Sequence, residues 1–438
     1  MQSALPASAA TRAAAAHAGG PTDPSHDENL RRGVIATDVS RGVAWGLCLL
    51  FLAAIYGLPL SQAYLEKRAD EESPLLDLFR RAPSAENLHS VEKGVEEASY
   101  PKSFVQPRLQ ALLTRLGHVG NKLAVVGPSG WLFYTPGVRY VGGPGFLDHD
   151  AQRSREKEAL DAGQERIHAD PRPAILAFHR ALAQRGIRLV LLPMPDKAEV
   201  QPHELHGRAA AQRPQNIDYD RFATELREQG VAIFEARGSL PKVAQKPLFL
   251  AQDTHYTPEW MERVSGDLAR YVRDLGVLEP RASLALRAVA QPVARVGDLV
   301  DMLKLPEGQQ LFAPQAVVVH QVQDETGTAW EPDPKADVLL LGDSFTNIFS
   351  LEGMGWGAAA GLGPQLALAL QRPLDVIAQN DSGAYATRQA LARELEAGQD
   401  RLQGKRVVIW EFASRELAVG DWKPIDWAIA GPSAEGGK

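Results

Sequence analysis

The chain has 438 residues, of which 45% are hydrophobic and 23% charged, which indicates two or three globular domains or one large α/β domain with additions. Its formal net charge of −7 at pH 7 gives no reason to expect a nucleic acid partner. The single cysteine, Cys48, excludes both an intrachain disulfide framework and a cysteine-based metal site.

The N-terminal part of the sequence predicts a tail followed by a membrane anchor. Residues 1–41 are rich in Ala, Pro, Gly, Ser and Asp and lack apolar periodicity, which is typical of a disordered tail. Residues 42–60 carry no charged side chain and just span a hydrocarbon core at 1.5 Å per residue. Because no short apolar core with a small-residue cleavage site is evident, we expect an uncleaved anchor. A buried core helix is the alternative, but the polar tail gives such a helix nothing upstream to pack against.

The charges around this segment predict its orientation. Arg31, Arg32 and Arg41 precede it, and one acidic and two basic residues follow at 66–68. The positive-inside rule favours a cytoplasmic N-terminus and an exported C-terminal body.

The rest of the chain predicts a helical segment and then an α/β domain. Residues 61–120 are charged, with leucines at helical spacing near their end, which indicates a membrane-proximal stalk. Helices and short apolar strands then alternate, which is typical of a parallel sheet flanked by helices. The irregular residues 280–334 are interpreted as a small β-rich insertion. The predicted segments are a disordered cytoplasmic tail (1–41), a transmembrane anchor (42–60), a helical stalk (61–120), an α/β domain (121–425) and a C-terminal tail (426–438).

One predicted central strand ends in a candidate nucleophile. The apolar residues 338–341 stop at Gly342-Asp343-Ser344, and ligands of open α/β sheets bind at the carboxyl ends of such strands. A serine hydroxyl needs a base, which a third group orients. Ser344 alone would more often be a turn residue, so its assignment depends on finding those partners.

The sequence Asp253-Thr254-His255 supplies both candidates. It lies just before a predicted helix, for which Thr257 and Pro258 provide the N-cap and the first helical position. Two residues apart in extended backbone, the carboxylate and the imidazole point to the same side. The pattern predicts a triad in which Ser344 attacks, His255 moves the proton and Asp253 orients the imidazole. We expect no metal, since no third clustered ligand is visible, and no cofactor.

Polar residues also end other predicted strands. Asn380 is a candidate oxyanion donor beside the Ser344 N–H, with a simple turn role as the alternative. Lys197 and Arg415 are candidates for substrate contact or for structural ion pairs.

These segments together resemble a known family, the AlgJ/AlgX-type alginate O-acetyltransferases of the SGNH hydrolase superfamily. Gly342-Asp343-Ser344-Phe345 is similar to the superfamily's nucleophile block, and Asp253-Thr254-His255 to the family's Asp-His block, which precedes the serine. Residues 130–134, 193–197 and 409–412 with Arg415 are similar to other family segments, so the resemblance covers roughly residues 125–417.

The sequence departs from the family pattern at two places. Tyr256 stands where a tryptophan is common, and the chain ends soon after its last strand, which leaves no room for the C-terminal carbohydrate-binding module of some members.

The resemblance implies a fold and an activity. The fold would be SGNH-hydrolase-like, with a flavodoxin-like central parallel sheet flanked by helices. The activity would be acetyl transfer to hydroxyls of an exported polysaccharide, alginate-like or another exopolysaccharide, by a periplasmic domain anchored in the bacterial inner membrane. A multipass membrane-bound O-acyltransferase would supply the acetyl groups. Trp131, Tyr256 and Arg415 are candidates for lining an acceptor groove.

Two other functions fit the same residues. One is an exported carbohydrate acetylesterase, since water and a sugar hydroxyl compete for the same acyl-enzyme. The other is a non-catalytic subunit of a polysaccharide export complex, in which function would not depend on Ser344.

Overall fold

The computed structural model describes residues 40–69, 74, 80, 84–99, 101–207, 213–241 and 246–427. The chain divides into two compact units, residues 1–101 and 102–438. Of the predicted tails, only positions 40–41 and 426–427 lie within the described residues. The second unit includes the end of the segment that the sequence assigned to the stalk.

The first unit contains one long apolar helix. Helix α1 (Arg41–Leu52) continues through a π-helical turn (Ala53–Gly57) into α2 (Leu58–Arg68). The hydroxyl of Ser40 caps this helix by accepting the Val43 N–H. By length and composition, residues 41–68 are the one helix of the described chain that is able to cross a membrane. The predicted anchor lies within it. A further helix, α3 (Ala85–Ala98), belongs to the same unit.

The second unit is an α/β domain. Its strands are β1 (Ala124–Val126), β2 (Leu132–Tyr134), β3 (Arg188–Met194), β4 (Ala232–Ile233), β5 (Leu286–Arg295), β6 (Gln315–Asp324), β7 (Val338–Gly342), β8 (Asp375–Ala378) and β9 (Val407–Ala413). Its helices are α4 (Gln106–Gly117), α5 (Thr135–Gly142), α6 (His149–Asp161), α7 (Arg172–Gln184), α8 (Lys197–Val200), α9 (His203–His206), α10 (Tyr219–Glu228), α11 (Pro258–Asp274), α12 (Asp298–Met302), α13 (Ser344–Asn347), α14 (Leu362–Leu370), α15 (Ala386–Glu396) and α16 (Glu416–Val419).

The predicted parallel sheet is confirmed. Five parallel strands run in the order β4-β3-β9-β7-β8, so the strand that precedes Ser344 lies inside the sheet between β9 and β8. Strands β7 and β9 are buried at every position, as expected for strands covered on both faces. Alternate residues of β3 enter two separate hydrophobic cores, one on each face, with Val190 and Leu192 in one and Leu189 and Leu191 in the other.

The predicted β-rich insertion is a long antiparallel ribbon. Strands β5 and β6 pair over ten residues each, from Leu286 opposite Asp324 to Arg295 opposite Gln315. The sequence predicted only a short β segment here. Most positions of β5 are exposed or half-buried, so its sequence lacks the apolar alternation that identifies a strand.

Candidate active site

The nucleophile candidate lies at the turn from β7 into α13. Asp343 caps this short helix, since its Oδ1 accepts the Phe345 N–H at 2.8 Å. The Oδ2 of Asp343 accepts the Ala413 N–H at 2.8 Å, which ties the turn to the end of β9. A Cβ atom on Gly342 would lie 2.0 Å from the Thr346 hydroxyl, so only glycine fits there. Ser344 is therefore held at the carboxyl edge of the sheet.

Beneath this turn lies a buried carboxyl group that sequence reasoning did not single out. The Oε2 of Glu411 accepts the Asp343 N–H at 3.0 Å and the Thr346 hydroxyl at 2.8 Å. Burial, and then the neighbouring Asp343, raise the pKa of Glu411 well above its usual range. A charged carboxylate buried inside a sheet strand would cost folding free energy, and the raised pKa of Glu411 favours its neutral form. The two hydrogen bonds that Glu411 accepts hold the turn in place.

The base candidate lies in a tight loop before α11. The Leu250 N–H donates to the His255 carbonyl at 3.0 Å, and the Thr257 N–H donates to the Leu248 carbonyl at 2.8 Å. This backbone pairing holds the loop against residues 248–250, which precede it in the chain. The imidazole Nε2 lies 2.8 Å from the Ser344 Oγ, and the Nδ1 lies 2.6 Å from Oδ1 of Asp253. The structure thus brings together the three predicted triad residues, and all three are buried.

Asp253 is held by donors on both oxygens. Its Oδ1 also accepts the His255 N–H at 3.1 Å, and its Oδ2 accepts the Asp298 N–H at 3.1 Å and the Trp356 indole N–H at 3.0 Å. Burial alone would raise the pKa of Asp253, but the hydrogen bond and charge of His255 outweigh it and lower that pKa to about 2. Asp253 is therefore an ionised carboxylate that keeps the Nδ1 proton in place.

A third carboxyl group, Asp298, lies beside the pair. Its Oδ2 is 4.0 Å from the His255 Nδ1, and its two oxygens accept the N–H and the hydroxyl of Thr254, each at 2.7 Å. Burial, and then the charge of Asp253, raise the pKa of Asp298 to about 6. The sequence analysis did not single out Asp298, since nothing in the pattern around it indicates a contact with a loop 45 residues upstream.

Asp253, His255 and Asp298 could also hold a metal ion, since one ligand atom from each lies within 4.8 Å of the others. Protein donors already point at the oxygens of both carboxylates. The Nδ1 of His255 faces Asp253 at a distance typical of a charge-assisted hydrogen bond. The arrangement therefore fits a hydrogen-bonded triad, and the expectation that it needs no metal stays a prediction.

The backbone supplies one oxyanion donor candidate. Within the described part of the chain, the Ser344 N–H has no protein acceptor. Asn380 is exposed, and its Oδ1 accepts the side-chain N–H of Asn347 at 2.8 Å, at the far end of the helix that Ser344 begins. Asn380 therefore lies near α13, and its oxyanion role stays a prediction.

Arg415 lies close to Phe345, the residue that follows Ser344. Its Nη1 donates to Asp196 Oδ1 at 2.9 Å, and its guanidinium carbon lies 5.7 Å from the Phe345 ring centre. Burial lowers its pKa, but Asp196 and further carboxylates outweigh this and raise it. Its charge is thus compensated by a buried carboxylate, which matches the structural alternative stated above.

Lys197 lies behind the triad loop. Its ammonium donates to the carbonyls of Leu132, Ala251 and Asp253 at 2.6, 3.0 and 2.9 Å. Burial lowers its pKa to about 7, yet three acceptors around one nitrogen match the three N–H donors of the protonated form. All donors are used, which favours a structural role for Lys197 over substrate contact.

Tyr256 and Trp131 are placed differently from the predicted groove lining. Tyr256 is 0% exposed, its hydroxyl donates to the Phe345 carbonyl, and its ring packs against that residue. Trp131 is buried, and the Lys197 ammonium lies 5.1 Å from its ring centre. Both side chains support the site from within the core and do not face solvent.

A cavity of about 410 Å³ opens next to α13, within the size range of small-ligand sites. Asn347, three residues after Ser344 and therefore its neighbour on the helix surface, lines the cavity. Among the described residues that line it, Glu331 alone is charged. The other lining residues are Ala329, Trp330, Pro332, Thr346, Ser350, Leu351, Ala358, Ala359, Gly363, Pro364, Val376 and Ala378.

The chain is similar to known proteins over most of its length. A relative from Pseudomonas aeruginosa, "Probable alginate O-acetylase AlgJ", is 26% identical over 356 residues, which cover 78% of this chain and 84% of that protein. The protein of the same name from Azotobacter vinelandii is 25% identical over 256 residues, covering 57% of this chain and 63% of that protein.

A solved structure shows the same fold. The "O-Acetyltransferase Domain of Pseudomonas putida AlgJ" matches with a TM-score of 0.50 at 21% identity, covering 70% of this chain and 94% of that one. Residues 124–414 match the family described as "SGNH hydrolase-like domain, acetyltransferase AlgX". The predicted resemblance is confirmed, and the chain belongs to this family of SGNH hydrolase-like acetyltransferases.

Proposed function

We propose that this chain is a membrane-anchored O-acetyltransferase that acetylates hydroxyls of an exported polysaccharide through an acetyl-serine intermediate. The observation that carries the proposal is the buried chain of hydrogen bonds from Asp253 through His255 to Ser344 at the carboxyl edge of the sheet. Family membership adds the reaction class, and the names of the relatives indicate an alginate-like polymer.

The first half-reaction forms the intermediate. The Ser344 Oγ attacks the acetyl carbonyl of the donor while the Nε2 of His255 removes the serine proton. The Ser344 N–H donates a hydrogen bond to the oxyanion, and the carboxylate of Asp253 stabilises the imidazolium. When the tetrahedral intermediate collapses, the donor oxygen leaves with the proton from His255, and the acetyl group stays on Ser344.

The second half-reaction uses the same groups in reverse. A sugar hydroxyl gives its proton to His255 and attacks the acetyl carbonyl, and the collapse of this intermediate returns the proton to Ser344. Transfer exceeds hydrolysis only when the sugar hydroxyl is held in attack geometry, where positioning is worth up to about 7–11 kcal/mol.

The location and the acetyl source belong to the same proposal. The long apolar helix of residues 41–68 would hold the chain in the inner membrane with the α/β domain in the periplasm. Acetyl groups would come from a multipass membrane-bound O-acyltransferase. The upstream arginines support this orientation.

The cavity beside α13 is the proposed acceptor site. It combines an aromatic side chain, Trp330, with the polar Asn347, which suits the apolar face and the hydroxyls of a sugar ring. Glu331, the one charged residue among the described lining residues, is exposed, so solvent screens its charge and the cavity does not select between a neutral sugar and the uronate of an alginate-like polymer. The acetylated hydroxyl would belong to the neighbouring sugar, next to Ser344.

The test of the proposed function follows two products at once. The full-length protein in detergent is given a small acetyl ester with neutral or uronate oligosaccharides, and oligosaccharide mass is measured alongside free acetate. We expect a mass gain of one acetyl group, which Ser344→Ala abolishes. Release of free acetate alone with every oligosaccharide would favour the acetylesterase, and a biological role insensitive to Ser344→Ala would favour the non-catalytic subunit.

Trp330→Ala separates acceptor binding from acyl-enzyme formation. We expect transfer to the acceptor to fall roughly tenfold, about 1.4 kcal/mol, while hydrolysis of the acetyl ester without acceptor stays unchanged. Both rates are measured on the same preparation, with Glu325→Gln in the exposed turn that follows β6 as the control. Equal loss of transfer and hydrolysis would place Trp330 in the structural support of the triad instead.

The pH dependence of hydrolysis provides another prediction. Burial lowers the pKa of His255, but Asp253 and then Asp298 outweigh it and raise that pKa above 6.5. Because the base must be neutral, kcat/KM should fall with decreasing pH through a midpoint above 6.5. The same shift stabilises the fold below pH 6.5, and this contribution is lost as pH rises through the raised pKa.

Asp298→Asn tests the origin of that midpoint. Removing this carboxylate should move the acid limb of the profile to lower pH, while plateau activity falls far less than the roughly 10⁴-fold loss expected of a triad aspartate. Asp301→Asn, exposed on the same helix, is the matched control and should leave the profile unchanged. An unshifted limb in Asp298→Asn would contradict the electrostatic role of Asp298.

A further inference from the structure

Helix α4 presents its apolar side to solvent. Leu109, Leu112, Leu113 and Leu116 follow the spacing of one helical face and are 40% to 74% exposed. The buried position of the helix is instead polar, since Thr114 faces inward and its hydroxyl donates to the Val119 carbonyl at 2.9 Å. This is the reverse of a helix that packs on a globular core, so the apolar face is available to a partner.

The apolar face continues past the end of the helix. Val119 and Leu123 are also more than 40% exposed. We define the four leucines of α4 together with these two residues as the α4 face. Several exposed apolar side chains within one short segment indicate an interaction site.

The sequence segment that contains the α4 face carries only positive charge. Residues 98–147 contain five Lys or Arg and no Asp or Glu, in a chain whose net charge is −7. Two of these cations, Arg108 and Arg115, line a surface cavity of about 630 Å³ between α4 and residues 306–311. Leu112 and Leu311 line the same cavity, so guanidinium groups and apolar side chains lie side by side.

This combination fits the surface of an anionic bilayer. Interfacial helices bury an apolar face about 5–10 Å deep while neighbouring basic side chains bind lipid phosphates. Helix α4 begins at Gln106, fewer than forty residues after the apolar helix that ends at Arg68, so the chain itself keeps the α4 face near a membrane if that helix spans one. An acidic protein partner would explain the charge, but it would not need leucines exposed along the full length of the helix.

We propose that the α4 face is a membrane-docking surface that binds an anionic phospholipid bilayer. It holds the catalytic unit against the bilayer in addition to the proposed anchor of residues 41–68. The inference rests on the proposed anchor for its location and on no step of the acetyl transfer reaction.

The test measures the environment of α4 in the full-length protein. The only native cysteine is removed by Cys48→Ser, and Leu112→Cys is labelled with a nitroxide. The protein is then reconstituted into phosphatidylcholine vesicles with about 30 mol% phosphatidylglycerol. Collisions with a water-soluble relaxation agent should be at least about threefold rarer than for the same label at Ile217→Cys, which is 82% exposed. Collisions with oxygen should be more frequent.

Charge reversal and lipid removal provide the controls. In the double variant Arg108→Glu/Arg115→Glu, the label at position 112 should collide with the water-soluble agent as often as an exposed label does. Equal aqueous accessibility at positions 112 and 217 in these vesicles would overturn the proposal. So would a label equally protected without lipid, in a non-ionic amphipol, because a segment of the chain itself would then cover the face. Acetyl-ester hydrolysis, measured on every variant, separates failure of docking from failure of the proposed chemistry.

Discussion

Replacing Ser344 by alanine is expected to lower kcat/KM for acetyl-ester hydrolysis by about 10⁴-fold or more. The Ser344 Oγ is the atom that would become acetylated. The His255 Nε2, which would accept the serine proton, lies 2.8 Å from it, within hydrogen-bond distance. Without the Oγ, no covalent step is possible, and only the weak effects of binding and oxyanion contact remain. The rate is measured with the full-length protein in detergent.

A second measurement tests whether the three residues act as a unit. His255→Ala should lose about as much activity as Ser344→Ala, and the double variant should lose little more, because each change removes the same covalent step. Ser154→Ala, at an exposed position of α6, controls for loss of any serine hydroxyl. Near-normal turnover of Ser344→Ala, or additive losses in the double variant, would disprove the nucleophile assignment.

The predicted triad combines two local signals, which the family resemblance joined. Asp253 and His255 lie two residues apart, and the apolar run before Gly342 indicates a central strand in any α/β sheet. The supporting contacts were not predictable. The Trp356 indole and the Asp298 N–H reach Asp253 from positions 103 and 45 residues away, and both lie in segments without a clear periodic pattern.

The polar residues after the strands show where such a pattern is ambiguous. Position at a strand end predicts that a side chain lies near the site, and Lys197 and Arg415 do lie there. It does not predict which way the donors point. The Lys197 ammonium points at three carbonyls, and Arg415 pairs with Asp196, a contact that joins the ends of two different strands. Only the tertiary structure distinguishes these roles from substrate contact.

The same limit applies to the β5–β6 ribbon. A strand covered on both faces, such as β7, is recognised by its apolar run. The ribbon is partly exposed along its length, and its pairing joins residues as far apart as Leu286 and Asp324. Its sequence therefore carries little local information, although the ribbon segment is followed directly by the loop to the nucleophile strand.

Lys197→Met is expected to lower the free energy of unfolding by about 3–5 kcal/mol. Methionine fills a similar volume but donates no hydrogen bond, so the carbonyls of Leu132, Ala251 and Asp253 lose their shared buried donor. Each unsatisfied buried acceptor costs roughly 1–3 kcal/mol. For a domain of this size, the melting temperature should fall by about 5–15 °C.

An exposed lysine serves as the control for this measurement, which distinguishes a structural role of Lys197 from substrate contact. Lys157→Met on α6 should change the free energy of unfolding by no more than about 0.5 kcal/mol. If Lys197 bound substrate, Lys197→Met would raise KM and leave the melting temperature close to that of the parent protein. If it holds the triad loop, the melting temperature falls, and kcat falls with it, because the carbonyl of Asp253 is one of the three acceptors. An unchanged melting temperature would therefore favour substrate contact by Lys197 and contradict a structural role for its three hydrogen bonds.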